Sequence, residues 1–178
     1  FLIYLFFIAL SELLSVNILK HFPTLRKYFF DFLVIPIEFL FFYWLYAYIS
    51  LNKKMLFWFL SIIYLFSLFL EYTLTINNFS GLSLNKTFGT LLLLALVVLE
   101  FIKQIKSDSI LNFKENKMFY INIGVVLFYV GNMPFFGLYF LILKEPQIWN
   151  SYYIYFLISN CIMYLLFAAS FIWGKPKS

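Results

Sequence analysis

"YFFDFLVIPIEFLFFYWLYAYIS", residues 28–50, decides the fold. As a helix its 23 residues rise roughly 35 Å, enough to cross the ~30 Å hydrocarbon core of a bilayer. The stretch has none of the period-two polar alternation of a membrane barrel strand. It does carry two acids, Asp31 and Glu38, with Glu38 close to its centre. Thirteen Leu, Ile, Val and Phe residues contribute roughly −4 to −8 kcal/mol to insertion, against roughly +3 for a central acid. The helix therefore inserts with Glu38 in place.

Read outward from this segment, the chain holds six apolar runs of membrane-crossing length, at approximately 1–18, 28–50, 55–74, 86–105, 118–143 and 150–173. The connections "LKHFPTLRK", "LNKK", "TINNFSGLSLN", "KSDSILNFKEN" and "KEPQIW" carry the Pro, Gly, Asn and Lys that end helices. None is long enough for a soluble domain, so residues 1–178 form a single transmembrane domain. The expected fold is all-α, a polytopic bundle of six helices. Glu12 interrupts the first run, which also lacks a basic leader and a small-residue cleavage site, so it reads as a membrane helix and not a signal peptide. The chain opens at Phe1, already inside an apolar run, and a seventh helix upstream is expected.

Composition agrees. Only 12% of the residues are charged, 64% are hydrophobic and 25% aromatic, far from the usage of soluble domains. With 26 Phe, phenylalanine must face lipid as well as protein. The formal charge of +5 is spread over connections and marks topology, not a nucleic-acid surface. Lys53, Lys54, Lys103, Lys106, Lys114, Lys117, Lys175 and Lys177 fall on one side of six crossings. Lys20, Arg26, Lys27, Lys86 and Lys144 fall on the other. The excess places the C-terminus in the cytoplasm.

Function must then be sought among polar groups at membrane depth, which are costly there and turn inward. Glu38 is the foremost, and Asp31 lies seven residues before it, on the same face of a regular helix. Pro36 removes a backbone donor and frees the carbonyl near Phe32. With no Lys or Arg at its depth, Glu38 is expected to be neutral. In "YVGNMPFFGLYF", residues 129–140, Asn132 sits mid-run, as Asn160 does in the last run. Gly124 and Gly131 share a face that admits a neighbouring helix, and Pro134 frees a carbonyl near Val130. These residues suggest one buried polar node of Glu38, Asn132, Asn160 and Asp31, with Tyr129, Tyr153 or Tyr164 as further members. Such a node serves either as interhelical glue or as a site for a solute, proton or signal. Glu71 and Glu100, near helix ends, read as ordinary interface residues.

Catalysis is disfavoured. The single histidine, His21, lies in a connection, so no zinc motif or Ser–His pair forms at depth. Asp31 and Glu38 are about 10 Å apart along a helix, too far to share a proton. One cysteine, Cys161, provides no disulfide or metal spacing. Pro146–Gln147 matches the dipeptide of PQ-loop transporters but is placed in a connection. No catalytic residue, metal or cofactor is expected.

The elements "VIPIEFLFFY" and "INIGVVLFYVGNMPFF", with the Asn-bearing "YFLISNCIMYLLF", resemble those of a family of small, uncharacterised multi-pass inner-membrane proteins of Bacteroidota. That family has a P-x-E-F-like element in an early helix and an IGxxxFYxGN-like element in a late one. The resemblance implies a bacterial inner membrane and one further N-terminal helix; it brings no catalytic residues to carry over. Two functions remain in view. One is a non-catalytic membrane subunit or sensory-input module packed against lipid and other integral membrane proteins. The other is a small proton-coupled carrier using Glu38.

Overall fold

The computed structural model describes residues 1–76, 84–107, 111–133, 142 and 144–174. Its long elements are six helices: α1 Leu2–Asn17, α2 Pro23–Ser50, α3 Lys54–Ile76, α4 Leu84–Lys106, α5 Lys117–Met133 and α6 Pro146–Ile172. No strand occurs among the described residues. Four of the six, α2, α3, α4 and α6, are long and apolar enough to cross a membrane. The chain is a polytopic helix bundle, as the apolar runs require.

Helix starts are where the runs and the structure differ. α2 begins at Pro23 and not Tyr28, and α6 at Pro146 and not Asn150. Proline lacks an N–H and has its φ already set, so at the first position of a helix it loses nothing and can recruit polar residues beyond the apolar run. Pro146–Gln147 accordingly opens a helix instead of lying in a connection. Asn116 caps α5 by accepting from the Met118 amide at 3.1 Å. The turn between α2 and α3 is closed by Asn52 at φ 55°, a left-handed conformation that asparagine tolerates. Most of the second half of the 118–143 run, Pro134 included, lies outside the described residues.

Pro36 does not break α2. Upstream of it the backbone widens into a π turn over Phe30–Val34, with the Ile35 amide bonded to the Phe30 carbonyl. A second wide stretch, Trp44–Ser50, ends the helix, and a third, Val126–Val130, lies inside α5. A wide turn carries a surplus residue and so rotates the face that follows it. This undoes the expected alignment of Asp31 with Glu38.

α2 is the central element: 44% of its apolar window is buried, against 22% for α3 and for α6, which have the largest share of surface left for lipid. Phe39, Phe42, Tyr43 and Tyr46 of α2 form the core with Tyr64 of α3, Leu93 and Leu96 of α4 and Phe167 of α6. α1 turns Tyr4, Ile8, Ser11 and Ser15 inward along one face. Two glycines set helix spacing. A Cβ on Gly124 would stand 3.3 Å from the Met163 carbonyl and the Phe167 ring of α6, and one on Gly89 would stand 2.7 Å from the Phe39 ring. The Tyr43 hydroxyl also donates to the Gly89 carbonyl at 2.9 Å. Gly131 seats Tyr155 of α6, whose hydroxyl donates to the Leu127 carbonyl at 2.9 Å.

Candidate functional site

Glu38 lies halfway along α2, one turn beyond the π turn and two residues after Pro36. Its Oε1 accepts from the Tyr4 hydroxyl of α1 at 3.0 Å and from the Tyr129 hydroxyl of α5 at 2.7 Å. One carboxyl oxygen thus ties three helices together. Tyr129 stands within the wide turn of α5.

Beside this junction is a cavity of about 300 Å³. Glu38, Tyr129, Tyr164 and Asn160 supply polar groups to its wall, and Phe39, Phe128 and Phe156 supply aromatic rings. Glu12, Arg26 and Lys86 also line it. These three stand near the end of α1 and the starts of α2 and α4, so they belong to one side of the bundle and mark the mouth. On the other side of Glu38 aromatic rings pack together. Tyr4 stacks on Phe41 at 4.1 Å with the rings 2° from parallel, and Phe1 meets Phe167 edge-on at 5.2 Å. Such pairs stabilise by roughly 0.5–1.5 kcal/mol each beyond simple burial.

The single node expected from Glu38, Asn132, Asn160 and Asp31 is divided. Glu38 and Asn160 line the cavity. Asn132 is fully buried and donates to the Phe128 carbonyl at 2.6 Å and to Ser159 of α6 at 2.9 Å, outside the cavity lining. The residue one position before Asn160 makes the bond, because Gly131 draws α5 onto the neighbouring face of α6. Tyr153 is 47% exposed and stacks on Trp149, so it belongs to neither group. Asp31 pairs with Lys86 at 3.0 Å and accepts, through its carbonyl, from Asn85 at 3.0 Å. The wide turn between Asp31 and Glu38 turns the first toward α4 and leaves the second on the cavity.

Asn132→Leu removes two donated bonds but leaves Ser159 bonded to the Phe156 carbonyl. We expect a stability loss of about 1 kcal/mol, read by unfolding in mixed micelles, with no change at the cavity. A loss above about 3 kcal/mol, or a changed cavity, would show that Asn132 belongs to the site.

Two functional features had weaker signals. Tyr4 reads as one more aromatic in an apolar run, and only its partner shows its role. Glu100, expected at the interface, is 1% exposed. It accepts from Ser50 at 2.6 Å and from Gln104 at 3.2 Å, and stands 3.8 Å from the Lys103 ammonium, which also bonds the Ser50 carbonyl. The spacing of Glu100 and Gln104, one helical turn apart, was the available clue. This second polar centre lies on the opposite side of the bundle from Arg26 and Lys86 and fastens the end of α2 to α4.

Comparison with protein-family models, curated proteins and solved structures finds no match to this chain.

Proposed function

We propose that this chain is a non-catalytic multi-pass protein of a bacterial inner membrane, acting as a sensory-input module or subunit whose cavity admits a small solute. The observation that carries the reading is the Glu38 junction: one carboxyl at the cavity wall is bonded to tyrosines of two other helices. A solute that displaces either hydroxyl alters the packing of α1 or α5, and the exposed faces of α3 and α6 can pass that change to lipid or to a partner subunit. The proposed C-terminus is cytoplasmic, from the lysine excess, and the cavity mouth then faces outward. The Bacteroidota resemblance accords with this setting and rests on the two sequence elements alone.

The alternative, a proton-coupled carrier, draws on one observation of its own: charged residues from one side of the bundle line the cavity, while the Phe1, Tyr4, Phe41 and Phe167 rings pack together beyond Glu38. Purification in mild detergent followed by reconstitution separates the two. A stoichiometric membrane partner is expected for the subunit. A solitary protein that moves protons into liposomes, and ceases to do so as Glu38→Gln, would replace that reading with the carrier.

Orientation has its own test. A reporter fused after Ser178 is expected in the cytoplasm, and one inserted at Asn77 or Asn78 outside. Reversed signals would put the cavity mouth in the cytoplasm.

A further inference from the structure

We propose that the cavity takes a small organic ammonium ion with an apolar body, its nitrogen donating to Glu38 Oε2 and its body lying among the Phe39, Phe128 and Phe156 rings. This deepens the solute-binding reading above and rests on it.

The assignment begins with the two oxygens of one carboxyl. Oε1 accepts both tyrosine hydroxyls. Oε2 has no hydrogen-bond partner among the described residues, while Glu38 lines the cavity. Glu38 is expected to be neutral only while no cation stands at its depth; an entering ammonium ion supplies that cation, the carboxyl proton leaves to water, and Oε2 of the ionised carboxylate accepts the stronger, charge-assisted bond. The rings around it offer negative π faces that attract a cation, with the larger gain where water is excluded. Phe39 is only 2% exposed and Phe128 8%, so both rings are fixed in the core and border the cavity with little free surface, while the half-buried Phe156 offers the larger ring face.

An anionic solute fits poorly. Lys86 is already paired with Asp31 at 3.0 Å, and Arg26 is exposed at the mouth, where water screens it. An anion would have to pass Glu12 and come to rest against Glu38. A short zwitterion cannot use both ends of the cavity, because Arg26 and Glu38 are twelve positions apart on α2, about 18 Å of helix rise. A volume of about 300 Å³ is at the small end of ligand pockets and suits a body of one ring.

The test uses the full chain in nanodiscs and three probes of similar shape: 2-phenylethylamine, phenylacetate and 2-phenylethanol. The amine is expected to bind saturably and raise the unfolding temperature, with the other two at least tenfold weaker. Glu38→Gln keeps an acceptor for Tyr4 and Tyr129 and is expected to weaken the amine at least tenfold. Phe156→Ala leaves the Glu38 junction untouched and is expected to weaken it about threefold to tenfold.

Amine binding indifferent to both substitutions, or phenylacetate binding as tightly, would overturn the ammonium assignment while leaving a solute cavity. If none of the three binds, the assignment falls, and unchanged helix packing when the cavity is filled by Asn160→Trp would remove the solute reading as well. The ammonium could belong to a free amine or to a lipid headgroup. In nanodiscs of phosphatidylglycerol alone the amine is expected to bind in either case; added phosphatidylethanolamine competes only if the headgroup is the source.

Discussion

Glu38→Ala is expected to lower the stability of the bundle by about 2–4 kcal/mol, and Glu38→Gln by less than about 1. The alanine leaves the Tyr4 and Tyr129 hydroxyls without the Oε1 that both now reach. Each unmet buried hydroxyl costs roughly 1–3 kcal/mol in a protein interior. Membrane proteins fall at the low end, since an unfolded helix in lipid also finds partners. Glutamine keeps an oxygen in the same place. Reversible unfolding in mixed micelles measures both, and equal losses for the two substitutions would mean that volume matters at this position and hydrogen bonding does not.

Glu100→Ala should be nearly as damaging, with a loss of about 2–3 kcal/mol. Ser50 and Gln104 would lose their shared acceptor, and Lys103 the carboxylate 3.8 Å away. Removing one member of a buried charged pair costs about 3–5 kcal/mol, but the Lys103 side chain is 33% exposed, so water recovers part of it. The loss should appear first as fraying where α2 meets α4, measured by hydrogen exchange at residues 46–53. A change below about 0.5 kcal/mol, the range of an exposed surface residue, would return Glu100 to the interfacial role its place near a helix end suggests.

The helices were legible because crossing a bilayer demands only length and apolarity: α2, α3, α4 and α6 have both, while α1 and the described part of α5 are apolar but shorter. Their starts were not: Pro23 and Pro146 read as breakers, although at a first position proline initiates. Glu38 was legible because an acid in the middle of thirteen large aliphatic and aromatic residues has few neutral explanations. Its partners were harder to foresee. Tyr4 and Tyr129 are two of fourteen tyrosines, and which of them turn inward depends on how the helices are rotated. The same uncertainty separated Asn132 from Asn160, since adjacent positions on α6 face about 100° apart and only Ser159 looks toward α5. Glu100 was misread because distance from a helix end says nothing about which way a side chain points.

The wide turn at Phe30–Val34 has a consequence for how α2 serves two neighbourhoods. A uniform α-helix would hold Asp31 and Glu38 nearly in phase and direct both acids at the same neighbour. The π turn delays the rotation by up to about a quarter turn, so one continuous helix runs with two angular settings. The outer portion, bearing Asp31, is set to α4 and its lysine, while the inner portion, bearing Glu38, is set to the tyrosines of α1 and α5. The two acids are thereby separated by phase as well as by distance.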